Sequence, residues 1–281
     1  MARVCNRGAR VRLALGSRAV DGPSRAAGLN RPTMTAAITW LGHATALLEL
    51  DGVRLLTDPV LRNRIGPLVR IAAQPRIESP ETLDVVLLSH LHADHTDVPS
   101  LRRLAPPARV LVPRPAAAWL RHALGATVDE LGPGDTVRIG PVTVQATPAM
   151  HDGRRQPLGR RAEPVGYLVR GSTRVYFAGD TDLFDAMTGM RGHVDVALLP
   201  IWGWGPSVGS GHLDPLRAAR AAALIAPAVA VPVHWGTFAL GRPVRRPPDP
   251  ERPAREFAAL ARQLAPGVEV RLLVPGGKTE L

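Results

Sequence analysis

Three histidines and an aspartate stand within six residues in His90-Leu91-His92-Ala93-Asp94-His95, directly after the apolar run Val85-Val86-Leu87-Leu88. Such a run reads as a buried strand, and a strand ending in this cluster delivers several imidazoles and a carboxylate into one small volume. Neutral imidazole and carboxylate are the ligands that suit zinc or a similar divalent ion. With nine His in 281 residues, chance is a poor account of three at this spacing. Strand ends downstream repeat the arrangement. His151 follows Val142–Pro148, Asp180 follows Val175–Ala178 within Gly179-Asp180-Thr181, and His234 follows Val229–Val233. Any one of these alone reads first as a structural hydrogen-bonding residue. Several such sites in order point instead to convergence on one metal-binding locus.

The elements that must carry these residues are short. Strands are expected at Ile38–Leu41, Ala46–Leu50 and Val53–Thr57, the last two joined by the turn pair Asp51-Gly52. After the strand Val85–Leu88 come a short helix at Pro99–Leu104, a strand at Val110–Val112 and a helix at Ala116–Leu124. A second β-rich half holds strands at Thr136–Ile139, Val142–Ala146, Val165–Val169 and Arg174–Phe177. Val194–Leu199, the helix Pro215–Ile225 and Val229–Val233 form a βαβ-like unit. The helix Ala254–Ala265 and a strand at Val268–Val274 follow. The implied class is α/β, two sheets with helices outside them, a four-layer αββα sandwich. Residues 36–281 show no repeat and no dividing linker, and read as a single domain.

Composition narrows the functional classes. The chain is 45% hydrophobic, enough for a large core. The formal charge is +11, almost all of it from Arg, since Lys278 is the only lysine. Residues 1–33 carry seven Arg against the single acid Asp21 and so supply +6 of that charge. The modest excess elsewhere predicts no specific nucleic-acid partner. Residues 1–35 are expected to be a disordered Arg-rich extension, with Met34 offering a second start before the first strand. Cys5 is the only cysteine, which fits a reducing cytoplasmic setting. The longest apolar stretch, Ala218–Val233, is interrupted by Arg220, Pro227 and Pro232, so no transmembrane helix is expected.

The set His-Xaa-His-Xaa-Asp-His followed by His151, Asp180 and His234 resembles the metallo-β-lactamase-fold hydrolase superfamily across residues 36–275. Trp40-Leu41-Gly42-His43-Ala44-Thr45, Leu56-Thr57-Asp58-Pro59 and His234-Trp235-Gly236-Thr237-Phe238 resemble more narrowly the branch of N-acyl-phosphatidylethanolamine phospholipase D and the ascorbate-phosphate lactonases. The resemblance implies two divalent ions, zinc first and manganese or iron next. His90, His92 and His151 would hold one, and Asp94, His95 and His234 the other, with Asp180 bridging. It also implies a water between ions ~3.5–4 Å apart, its pKa lowered toward ~7. The expected substrate is a small-molecule phosphodiester or cyclic ester, a lipid included. Nothing else in the chain reads as a nucleophile: Cys5 is remote, and no Ser lies in a nucleophile elbow.

Further residues follow from the same resemblance. Asp58 would accept a hydrogen bond from a ligand imidazole, or serve only as a turn residue before Pro59. Asp97 could accept from a ligand imidazole in the same way, but reads first as a cap for the helix starting near Pro99. Asp94, His43 and His212 are the catalytic candidates beyond simple ligation, and His212 is expected to contact substrate or leaving group. His122 and His193 read as structural. Trp202-Gly203-Trp204-Gly205-Pro206 would wall or cover the site, or else plug the core edge. Arg154, Arg155, Arg160 and Arg161 could receive a phosphate, although a solvated loop is the default. The same fold also hosts iron oxidoreductases and nucleic-acid-processing hydrolases. No flavodoxin-like domain is evident, and there is no room for the inserted domain of the RNA-cleaving relatives.

Overall fold

The computed structural model describes residues 36–104, 109–155, 159–205, 207–241 and 249–281. The expected extension 1–35, together with Cys5 and Pro206, lies outside the described residues.

Strands β1 (Ala37–Gly42), β2 (Thr45–Leu50) and β3 (Val53–Thr57) form an antiparallel meander. The β2–β3 turn places Asp51 at φ 49° and Gly52 at φ 79°, the paired positive φ that a two-residue hairpin requires. A small hairpin of β4 (Arg64–Ile65) and β5 (Leu68–Arg70) follows. Strands β6 (Val85–Leu87), β7 (Arg109–Pro113) and β8 (Val128–Leu131) then line up in parallel beyond β3. The helices α1 (Val98–Leu101) and α2 (Ala117–Leu124) are their crossovers.

The second sheet repeats this plan. Strands β9 (Thr136–Ile139), β10 (Val142–Pro148), β11 (Val165–Arg170) and β12 (Arg174–Phe177) are antiparallel. Next to β12 run β13 (Val196–Pro200) and β14 (Val229–Val233), parallel and connected through α3 (Pro215–Ile225). Asp214 caps α3 by accepting from the Arg217 amide at 2.8 Å, with Pro215 at the first turn. Strand β15 (Phe238–Leu240) joins β5 and β4 in a separate three-stranded sheet. The helix α4 (Arg252–Leu264) packs on α3.

Two elements complete the edges. β16 (Glu269–Val270) runs parallel to β14, and β17 (Gly277–Glu280) pairs antiparallel with β1. The expected strand Val268–Val274 is therefore only two residues long. The chain leaves the second sheet at Arg271, passes Pro275-Gly276 and crosses to the first. The alternating apolar pattern there follows an edge segment with no fully buried residue, which local hydrophobicity alone cannot separate from a true strand.

Side-chain alternation builds the layers. Leu48, Leu55, Val85, Leu87 and Leu111 face the second sheet and share a core with Val144, Val165, Tyr167 and Val175. Their neighbours Leu47, Leu56, Val86, Val110 and Val112 pack with Leu101 of α1 and Leu120 of α2. Period two on sheets covered on both faces gives the αββα sandwich. Among the described residues, no helix is long and apolar enough to cross a membrane.

Candidate metal centre

The polar cluster sits where the C-terminal ends of both sheets meet. After β6 the chain continues through Leu88 and Ser89 into the histidine loop. That loop is tied by Thr96 N–H and His95 N–H donating to His92 O, at 2.8 and 3.1 Å. Thr96 Oγ1 also donates to His90 O at 2.6 Å. The second sheet holds the loop's base: Val165 N–H donates to Ser89 O at 2.9 Å and Tyr167 OH to Leu88 O at 2.8 Å. Gly179, at φ +60°, lets the segment before Asp180 touch Ser89, since a Cβ there would fall 2.6 Å from Ser89 Cβ. A side chain at this position would push Asp180 away from the histidines.

Two groups of ligand atoms result. His90 Nε2 lies 3.0 Å from His92 Nδ1, which lies 3.1 Å from His151 Nε2. His95 Nε2 lies 3.1 Å from His234 Nε2, with Asp94 Oδ2 3.9 Å from His95 Nε2. Asp180 stands between the groups. Its Oδ2 is 3.2 Å from His95 Nε2 and 4.0 Å from His90 Nε2, and its Oδ1 is 3.4 Å from His234 Nε2. The seven ligand candidates from the sequence are thus brought into one site.

The outward ring nitrogens decide what the inward ones can do. His90 Nδ1 bonds Ser89 Oγ at 2.9 Å, and His95 Nδ1 donates to Asp58 Oδ2 at 2.7 Å. His151 Nδ1 donates to Gly211 O and His234 Nδ1 to Trp202 O, both at 2.7 Å. With Nδ1 protonated, each Nε2 turns a lone pair inward toward other nitrogens. Lone pairs facing one another at ~3 Å repel unless a proton or a cation lies between them. Tetrahedral zinc bonds of ~2.0–2.1 Å would set ligand nitrogens ~3.4 Å apart, close to the spacings found. Asp180 Oδ1 is buried and accepts no hydrogen bond from the described residues. The residues present fit divalent metal.

Electrostatics agree. Burial, reinforced by neighbouring imidazoles, holds His90 well below its ordinary pKa and lowers His92 and His234. Burial brings His151 down to about 4. For Asp94 and Asp180, burial favours the neutral acid but is outweighed by surrounding histidines. His43 and His95 act chiefly on Asp94, and His234 and His95 on Asp180, so both stay ionised. His95 differs, because Asp180 and Asp58 overcome its burial and hold its pKa well above the ordinary value. Apart from that one proton, the site rests in the state that metal binding needs.

The remaining candidates divide clearly. Asp58, fully buried, accepts from His95 Nδ1, from Ser89 N at 2.7 Å and from Ser89 Oγ at 2.5 Å. His43 Nε2 is 3.2 Å from Asp94 Oδ2, and burial together with His234 lowers its pKa to about 3. His212 Nε2 is 3.6 Å from Asp180 Oδ2 on a partly exposed ring, which suits contact with an incoming molecule. Asp97 caps α1 through the Ser100 amide and also takes a two-point contact from Arg62. His122 and His193 are exposed and remote from the cluster. Trp202 packs against the core edge and gives its carbonyl to His234, whereas Trp204 is 40% exposed. Arg155 is not simply solvated but is tied to the histidine loop. Its Nη1 donates to Leu91 O at 2.8 Å and Thr96 O at 2.9 Å, and its guanidinium lies 4.9 Å from the Trp119 ring centre.

Sequence reasoning missed Ser89, Asp182 and Arg217, and the loop contacts of Arg155. Arg217 pairs with Asp182, and its Nη1 donates to His212 O at 3.2 Å, fixing the segment that carries His212. Asp182, two residues beyond Asp180, was the one available signal, being a second acid at the same strand end.

Comparison with known proteins decides the family. The family model described as the beta-lactamase superfamily domain matches residues 53–235. The chain belongs to the metallo-β-lactamase superfamily. A metal-dependent hydrolase of Methanopyrus kandleri is 34% identical over 252 residues, covering 86% of this chain and 99% of that protein. The N-acyl-phosphatidylethanolamine-hydrolyzing phospholipase D 1 of Caenorhabditis elegans is 31% identical over 229 residues, 72% of this chain and 64% of that protein. The chain also spans only 62% of the length of a Mycobacterium tuberculosis relative that is 35% identical to it. Among solved structures, a metallo hydrolase from Ignicoccus hospitalis matches this superfamily member with a TM-score of 0.66 at 25% identity, covering 88% of this chain and 99% of that one.

Proposed function

We propose that this superfamily member is a two-metal hydrolase, zinc-loaded, acting on a phosphodiester or a cyclic ester. The observation that carries the reading is Asp180, one buried carboxylate that stands between the two groups, its Oδ2 near both His95 and His90 and its Oδ1 near His234. His90, His92 and His151 would hold the first ion, and Asp94, His95 and His234 the second, with Asp180 shared. Ions held there would supply a water acidic enough to attack near neutral pH and would polarise the scissile oxygen.

The chain's own residues do the rest. Ser89, Asp58, Gly211 O and Trp202 O hold four imidazoles in the tautomer that turns Nε2 inward. His212, held by Arg217 at the mouth, would contact the leaving group or a substrate oxygen. Likeness to the nematode phospholipase D supports the phosphodiester arm, and Trp204 offers an exposed apolar surface for a lipid or other apolar substituent.

The test is hydrolysis of bis-p-nitrophenyl phosphate, simple lactones and an N-acyl phospholipid by protein loaded with zinc, manganese or iron, with metal counted in the same samples. Two ions per chain and turnover of one substrate class are expected. One iron per chain, oxygen consumption and no hydrolysis would overturn the reading.

A further inference from the structure

Among the histidines that crowd the second ligand group, His43 differs from His95 and His234, whose Nε2 atoms face each other, in turning its Nε2 to a carboxylate at hydrogen-bond distance rather than to another imidazole nitrogen. Its Nε2 is 3.2 Å from Asp94 Oδ2, and no other side-chain hydrogen bond reaches Asp94 among the described residues. Asp94 sits in the loop between His92 and His95, 15% exposed, and without a partner its carboxylate is free to turn toward solvent.

The backbone of His43 is fixed from three sides. Its N–H donates to Thr237 Oγ1 at 2.7 Å, and its C=O accepts from Trp40 Nε1 and from His234 N, each at 2.9 Å. The residue is held at φ 53°, a left-handed conformation costly for most side chains. Its ring stacks on His234 at 3.9 Å between centroids, with the Phe238 ring edge-on at 5.2 Å. One rigid residue therefore touches two of the three side chains assigned to the second ion: His234 through backbone and ring, Asp94 through a hydrogen bond.

We propose that His43 is a positioning residue for the second metal, donating Nε2–H to Asp94 Oδ2 so that the carboxylate faces His95 and His234. It is not itself a ligand, because the nitrogen that could coordinate is spent on Asp94. The inference rests on the two-ion reading above and assigns to it a residue that controls one ion and not the other.

The experiment compares two amides of different reach in the full chain. Glutamine places an N–H donor near the position of Nε2. Asparagine tolerates the left-handed backbone but stops short of Asp94. Zinc binding is measured by competition with a chromophoric chelator and by metal analysis after gel filtration, and folding by circular dichroism. His43→Asn is expected to keep the first ion and to weaken the second by about 10- to 100-fold, the usual cost of losing such a partner. His43→Gln is expected to stay within a few-fold of wild type. Two ions bound with wild-type affinity in both variants, or equal loss in both, would overturn the proposal. A wild-type chain that takes up fewer than two ions would instead remove the two-ion reading beneath it.

Discussion

Asp58→Asn is nearly isosteric, so its effect reports hydrogen bonding and charge with little change in packing. Asp58 is fully buried, and the three groups that meet its carboxylate are donors: Ser89 N on Oδ1, Ser89 Oγ and His95 Nδ1 on Oδ2. Asparagine keeps one acceptor oxygen and must aim its NH2 at a donor in either orientation. Facing Ser89 N, it sets two donors against each other. Facing Ser89 Oγ and His95 Nδ1, it drives the imidazole proton toward Nε2, the nitrogen assigned to metal. A hydrogen bond to a charged group is worth ~1.5–3 kcal/mol, and at least one is lost. The expected cost is ~2–3 kcal/mol, roughly 30- to 150-fold in affinity for the ion that uses His95. Chelator competition measures it directly, with thermal unfolding of the metal-free protein as the control for general damage. A zinc isotherm that superimposes on wild type would refute the claim that Asp58 sets the His95 tautomer.

Other perturbations separate ligation, support and substrate contact. His92→Ala is expected to strip the first ion and abolish turnover. His212→Ala is expected to leave metal content intact while lowering kcat at least 10-fold; metal analysis beside steady-state kinetics checks both. Arg155→Ala removes the donor shared by Leu91 O and Thr96 O and should weaken metal binding about 10-fold, with Arg155→Lys recovering part of it; equal affinity in all three proteins would dismiss the clamp. The metal-free protein should lose stability as pH falls from about 6.5 toward 4. The unfolded chain takes up protons there that His151, at about 4, and His43, at about 3, refuse in the folded state. The lowered His90, His92 and His234 add to this, whereas His95, with its raised pKa, contributes stability below 6.5 that disappears as pH rises through its folded value. Five groups against one set the sign, and a melting temperature that climbs between pH 6.5 and 5 would contradict it.

The part of the fold legible in the sequence is the part that short-range pattern encodes. The apolar runs of β6, β12 and β14 each lead to a ligand candidate, whereas the uniformly apolar Val85-Val86-Leu87 did not show that Val86 faces away from Val85 and Leu87. The turn at Asp51-Gly52 and the cap Asp97 carry their own local chemistry. Partners distant in sequence were beyond such reading. Nothing near Arg155 announces that its guanidinium reaches Leu91 O, and nothing near Thr237 announces that it receives the His43 amide. β17 was missed because Gly277-Lys278-Thr279-Glu280 has neither apolar alternation nor β-branched enrichment; it is a strand only because β1 offers it an edge. Asp182 and Arg217 pair across 35 residues of sequence, a contact made only once α3 is in place.

The crossing of the chain from β16 to β17 has a consequence for biosynthesis. β1 is the first of the described strands to leave the ribosome and β17 the last, yet Ala37 lies opposite both Glu49 and Glu280. Until translation reaches Gly277, the free edge of β1, with Ile38 and Trp40 among its side chains, has no cover of its own. A nascent chain in that condition exposes a templating edge for as long as elongation takes. Closure then waits on contacts of maximal sequence separation, which are slow to form. Loss of the final four-residue strand would therefore register first as poor yield and chaperone dependence during expression.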